Sequence, residues 1–162
     1  MTSADQTDRW VLLCYRLPRE PSTPRIAVWR KLDRLGAARL GDGMVGLPAD
    51  PRTREQLDWI AEEIQDAGGA ATVWLATPTR SADERAITES MREARAAEYE
   101  AVVARARAAG ADDAEERSRA LRTLRGELRR IDRRDFSSPP QREQAHAAVE
   151  GLAAAPTQRV RR

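Results

Sequence analysis

The chain has 162 residues, 28 basic and 26 acidic, with a formal net charge of +2 and only 4% aromatic residues. One cysteine excludes an internal disulfide, and no apolar run reaches the ~20 residues of a membrane-spanning helix. Together with the lack of a secretory signal, this predicts a soluble cytoplasmic protein with one modest core and an appendage. The opening MTSADQTD, residues 1–8, is polar and expected to be disordered. Lys31 is the only lysine, so the basic charge is almost wholly arginine, and the excess lies after Pro78. Arginine's planar fork donates paired hydrogen bonds to oxyanions, although a GC-rich genome produces the same richness.

In chain order, WVLLCYRLP (Trp10–Pro18) is a short apolar run closed by proline and reads as a buried strand. A helix follows from Pro24 to about Leu35, with Ser22 or Thr23 as candidate caps, Pro24 suited to its first position and Gly36 as its stop. Val28, Leu32 and Leu35 form its apolar face, with Trp29 on the flank. ARLGDGMVGLP offers two strands around a Gly41-Asp42-Gly43 turn. A second helix starts at Asp50-Pro51, carries Leu57, Ile60, Ala61 and Ile64, and ends at Gly68-Gly69. ATVWLATP closes the series as a fourth strand. Strand, helix, strand, strand, helix, strand over residues 9–78 predicts an α+β fold, the ferredoxin-like βαββαβ arrangement with both helices on one sheet face.

After Pro78 the composition turns helical. Residues 83–109 read as one long helix with Ile87, Met91, Ala94, Tyr99, Val102 and Ala106 near one face. A second helix begins after the acidic cluster Asp112, Asp113, Glu115 and Glu116, where the helix dipole favours negative charge. Its Leu121, Leu124, Leu128 and Ile131 repeat at three, four and three residues, an apolar seam that packs either inside the monomer or across a homodimer. After DFSSPP a last helix, about Gln141–Ala154, leads into the basic tail 156–162. Residues 79–155 are therefore expected to be a helical hairpin plus a short helix, packed on the sheet domain or on a second copy.

The chemistry of a zinc site or nucleophilic triad is not encoded. His146 is the only histidine and is expected to be an ordinary surface residue, and Cys14 reads as core packing. No phosphate-binding glycine loop or dinucleotide fingerprint occurs, and the acids alternate with arginines as solvated helix pairs. The chain is expected to be non-enzymatic and to need no cofactor or metal.

Two arginine settings are candidate sites. Arg25 is a cation in the first turn of a helix, where the dipole disfavours it, and it shares the side of Leu32 and Trp29. Pairing with Glu20, Glu63 or strand carbonyls is the first reading. Oxyanion binding with Arg16 at the end of the first strand and Trp29 is the second. Arg30, Lys31 and Arg34 on the first helix, and Arg122, Arg125, Arg129 and Arg133 on the later one, are candidates for nucleic-acid phosphates. Asp33, Glu127 and Asp132 interleave with them, and a solvated helix face is the competing reading.

The stretches RLPREPSTPRIAVWRKLDRLGA, LGDGMVGLP, TREQLDWIAEEIQDAGGAATVW and RRIDRRDFSSPPQREQAHAAVEGL resemble the N-terminal region of the ChrB family of bacterial chromate-resistance regulators. Its most specific parts are Pro24, Arg25, Trp29, Arg30 and Leu32 at the helix start, and the Arg134-Asp135-Phe136 element. The resemblance runs from about Trp10 to Leu152 and corresponds to a short form without the C-terminal domain of longer members. It implies transcriptional control through DNA, with an oxyanion sensor or a protein-interaction module as alternatives. The strand and helix pattern also resembles the ferredoxin-like domains of phenylacetate-degradation repressors and of a CRISPR-associated endoribonuclease-like family. The nuclease carries an aspartate after the tyrosine that ends its first strand; here Tyr15 is followed by Arg16, and the acid is missing.

Overall fold

A computed structural model describes residues 9–155; the expected disorder of residues 1–8 and the basic tail 156–162 lie outside them. The chain divides into two compact units, the first up to Ile87 and the second from Thr88. The first unit contains β1 (Trp10–Arg16), α1 (Thr23–Leu35), β2 (Ala38–Gly41), β3 (Met44–Pro48), α2 (Pro51–Asp66) and β4 (Ala70–Ala76). The strands form one antiparallel sheet in the order β2-β3-β1-β4, the ferredoxin-like topology.

Alternation along the strands sets the core. Val11 pairs with Leu47 and Leu13 with Val45, so all four lie on one sheet face, and all four are buried. Against them α1 sets Val28 and Leu32, and α2 sets Leu57, Ile60, Ala61 and Ile64. Two helix starts are built differently. Asp50 caps α2 by accepting from the Thr53 amide at 2.8 Å, while the Thr53 hydroxyl accepts from the Asp50 amide and donates to the Pro48 carbonyl. At α1 the expected hydroxyl cap is not made. Ser22 sits in the helical region (φ −77°, ψ −17°), whereas an extended cap residue is what carries its oxygen to the next-turn amides.

The second unit takes the remainder of α3 (Ser81–Ala109), α4 (Ala114–Arg133) and α5 (Gln141–Ala154). Asp113 caps α4 by accepting from the Glu115 and Glu116 amides, both at 2.9 Å. Tyr99, Val102, Ala106, Leu124, Leu128, Ile131, Ala145, Val149 and Leu152 form its core. The apolar seam of α4 is thus filled from within its own unit, the first of the two packings its spacing allows. Among the described residues no helix is long and apolar enough to cross a membrane.

Candidate functional site

The chain leaves β1 at Arg16 and enters α1 at Thr23, and the link between them borders an open cleft of about 760 Å³. Its lining includes Tyr15, Arg16, Arg19, Arg25, Ile26 and Trp29, with Asp42 and Gly43 from the β2–β3 turn. Gly43 holds that turn against β1. Its carbonyl accepts from the Tyr15 amide at 2.7 Å, its φ is +72°, and a Cβ there would lie 2.3 Å from the Tyr15 carbonyl oxygen.

Arg25 occupies the same helical stripe as Val28 and Leu32, but in the first turn, ahead of the buried part of that stripe. Arg25 is accordingly exposed rather than on the packing side. The ion pairs expected for it are not formed, because Glu63 is taken by Lys31 and Glu20 stands apart. Among the described residues the side chains of Arg16, Arg19 and Arg25 make no hydrogen bond or ion pair. The structure therefore brings Arg16, Arg25 and Trp29 to one cleft and adds Arg19, Tyr15 and Asp42, which the sequence reading did not single out. Pairing of Cys14 with Met44 is what delivers the Asp42 turn to the end of β1. Trp29 is 49% exposed even though the Arg39 guanidinium stacks on its ring at 5.0 Å.

The phosphate candidates separate by environment. On α1, Arg30 and Arg34 are exposed and unpaired, Lys31 is bound to Glu63, and Asp33 remains free beside them. On α4, Arg122, Arg125, Arg129 and Arg133 are all exposed and share one stripe opposite the buried seam. Arg122 donates to Ser118 at 3.3 Å and Arg125 lies 3.6 Å from Glu150, while the side chains of Arg129 and Arg133 have no partner among the described residues. The interleaved acids are occupied: Glu127 pairs with Arg105, and Asp132 receives Tyr99, Arg142 and His146.

His146 keeps 45% of its side chain exposed, with Nε2 3.1 Å from the Asp132 carboxylate, a surface histidine with a carboxylate neighbour. The Arg134-Asp135-Phe136 element is also structural in its geometry. Arg134 holds Glu98 of α3 through Nε at 3.2 Å and Nη2 at 2.8 Å. Asp135 accepts from the Tyr99 hydroxyl, the Ser137 amide and hydroxyl, and the Ser138 amide. Ser138 has φ +46°, so this carboxylate fixes a turn that a serine rarely adopts. Burial, then hydrogen bonds to Asp132 and Asp135, push the Tyr99 phenol far above its ordinary value. No cluster of three or more metal-ligating side chains occurs among the described residues.

The family model described as Protein ChrB, N-terminal, matches residues 25–158. Protein ChrB of Cupriavidus metallidurans is 34% identical over 76 residues, a stretch that covers 47% of this chain and 23% of that relative. No solved structure matches. The chain belongs to the ChrB N-terminal family.

Proposed function

From membership in that family we infer that this chain is a non-enzymatic regulatory module in chromate resistance, and that it meets DNA phosphates through α4. The observation that carries this reading is the arginine stripe of α4. Arg122, Arg125, Arg129 and Arg133 stand exposed along about 16 Å of helix at the usual rise. Of the nearby acids, Glu127 is bound to Arg105 and Asp132 to Arg142, while Glu150 offsets Arg125 alone. Such a face positions a protein on the duplex without reading sequence. Arg30 and Arg34 on α1 contribute less, because Asp33 is free beside them.

The test is fluorescence anisotropy of the chain on duplex DNA from upstream of its own coding sequence. Binding is expected at low salt, with log K falling linearly in log salt by about 0.9 for each phosphate contacted. Absence of binding at low salt, or binding insensitive to salt, contradicts the reading.

A second reading rests on the unpaired Arg16, Arg19 and Arg25 in the cleft, which suit a tetrahedral oxyanion such as chromate or sulfate. Calorimetry with both ions on wild type and Arg25→Ala tests it. Equal heats in the two proteins, or none, remove it.

A further inference from the structure

We propose that the cleft between β1, α1 and the β2–β3 turn is a binding site for a nucleoside polyphosphate. The proposal rests on the anion-binding reading of the cleft and is independent of the DNA contacts assigned to α4.

Three of the observations concern charge. Arg16, Arg19 and Arg25 come from the end of one strand, the link and the first turn of the next helix, and all three line one cleft. None of the three side chains has a partner among the described residues, so three cations share a lining with Asp42 alone to offset them. Asp42 is the only acid of that lining and is itself unpaired. A ligand that relieves this wall carries several negative charges in a row, and arginine forks match phosphate oxygens two at a time.

Size and apolar surface then separate a nucleotide from a bare oxyanion. A cleft of about 760 Å³ lies within the ~300–1,000 Å³ of organic-ligand sites. A five-atom tetrahedral ion fills only a few water volumes of about 30 Å³ each. The same wall presents Trp29, 49% exposed, and Ile26, 47% exposed, together with Tyr15. An inorganic ion makes no use of these groups. A nucleobase does, because every base has a flat π-face that stacks on an aromatic ring. Arg39, stacked on Trp29, holds that ring in place while half of it stays open. Asp42 supplies an acceptor for a sugar hydroxyl or a base amino group at the opposite rim. Polyanion, flat apolar group and hydroxyl occur together in a nucleoside di- or triphosphate.

The test is titration calorimetry of the full chain, free of divalent cations, with ATP, tripolyphosphate, adenosine and sulfate. ATP is expected to bind at least about tenfold tighter than tripolyphosphate or adenosine. Arg16→Ala and Arg25→Ala are expected to weaken ATP and tripolyphosphate alike, by about tenfold or more. Trp29→Leu is expected to weaken ATP by about tenfold and leave tripolyphosphate unchanged, which a general loss of structure would not do. These side chains are exposed, and matching far-ultraviolet circular dichroism verifies each fold. Equal affinity for ATP and tripolyphosphate, or no effect of Trp29→Leu, overturns the nucleotide proposal. If sulfate then binds in an Arg25-dependent way, the oxyanion reading survives it. ATP binding lost on replacing the α4 arginines but kept in Arg25→Ala also overturns the proposal, since it places the polyanion elsewhere. No binding of any anion overturns both readings of the cleft.

Discussion

Tyr99 is fully enclosed in the second unit, and its hydroxyl lies 2.9 Å from Asp132 and 3.0 Å from Asp135. Burial strips a phenolate of its water, and the hydrogen bonds and charges of the two carboxylates add to that, so its pKa is raised. The neutral phenol is the form the fold stabilises. That contribution is fully present below the ordinary tyrosine range near pH 10 and declines above it, where the unfolded chain releases the proton first. A difference titration at alkaline pH between wild type and Tyr99→Phe is expected to show no phenolate signal from Tyr99 until the chain unfolds. Tyr99→Phe is expected to cost about 1–3 kcal/mol in urea unfolding, because the two carboxylates lose the one hydroxyl proton they share. Gly43→Ala is expected to cost at least about 2 kcal/mol, because it meets both a positive φ and the Tyr15 carbonyl. A wild-type midpoint for it would contradict the turn geometry. The sequence placed Tyr99 on the buried stripe of its helix but gave no sign of its hydroxyl's role. The partners are 33 and 36 residues away, and no local pattern encodes such a meeting.

At the scale of elements, legibility followed how local the cause was. Asp50, Pro51 and Thr53 are neighbours, and the cap they form was readable as an aspartate before a proline. Asp50→Ala is expected to destabilise the chain by about 1 kcal/mol in the same urea assay, and Ser22→Ala at α1 by almost nothing. The difference follows from Ser22 lying in helical rather than extended geometry. The seam of α4 was readable as apolar but not as to what it met, since its spacing serves a dimer and a monomer core equally. Leu124, Leu128 and Ile131 are all buried against α3 and α5 residues of the same unit. Leu128→Ala is therefore expected to cost about 2–5 kcal/mol independently of protein concentration. A cost that grows on dilution would instead point to an interface between copies.

Across the whole molecule, the two stretches that carry the family resemblance divide the labour. Arg134 and Asp135 tie the α4–α5 link to α3 through Glu98 and Tyr99, a structural task. Arg25 and Trp29 line the cleft, and the arginine side chain has no partner among the described residues. The order of strands and helices in the first unit was legible because each element there is short and followed closely by glycine or proline. The separation of free from occupied arginines was not, since Glu63, Glu127 and Glu150 find their partners across the fold. On α4 it leaves Arg129 and Arg133 without a partner among the described residues and engages Arg125 with Glu150, so the proposed phosphate contact rests on the length of the exposed stripe. The most direct measurement compares the salt dependence of DNA binding for wild type, Arg30→Ala/Arg34→Ala, and the α4 variant with Arg122, Arg125, Arg129 and Arg133 all replaced by alanine. The account expects the log–log slope of the α4 variant to be shallower by about 3–4, near 0.9 for each contact removed, and the α1 variant to change far less. An α4 variant that keeps the wild-type slope would contradict it.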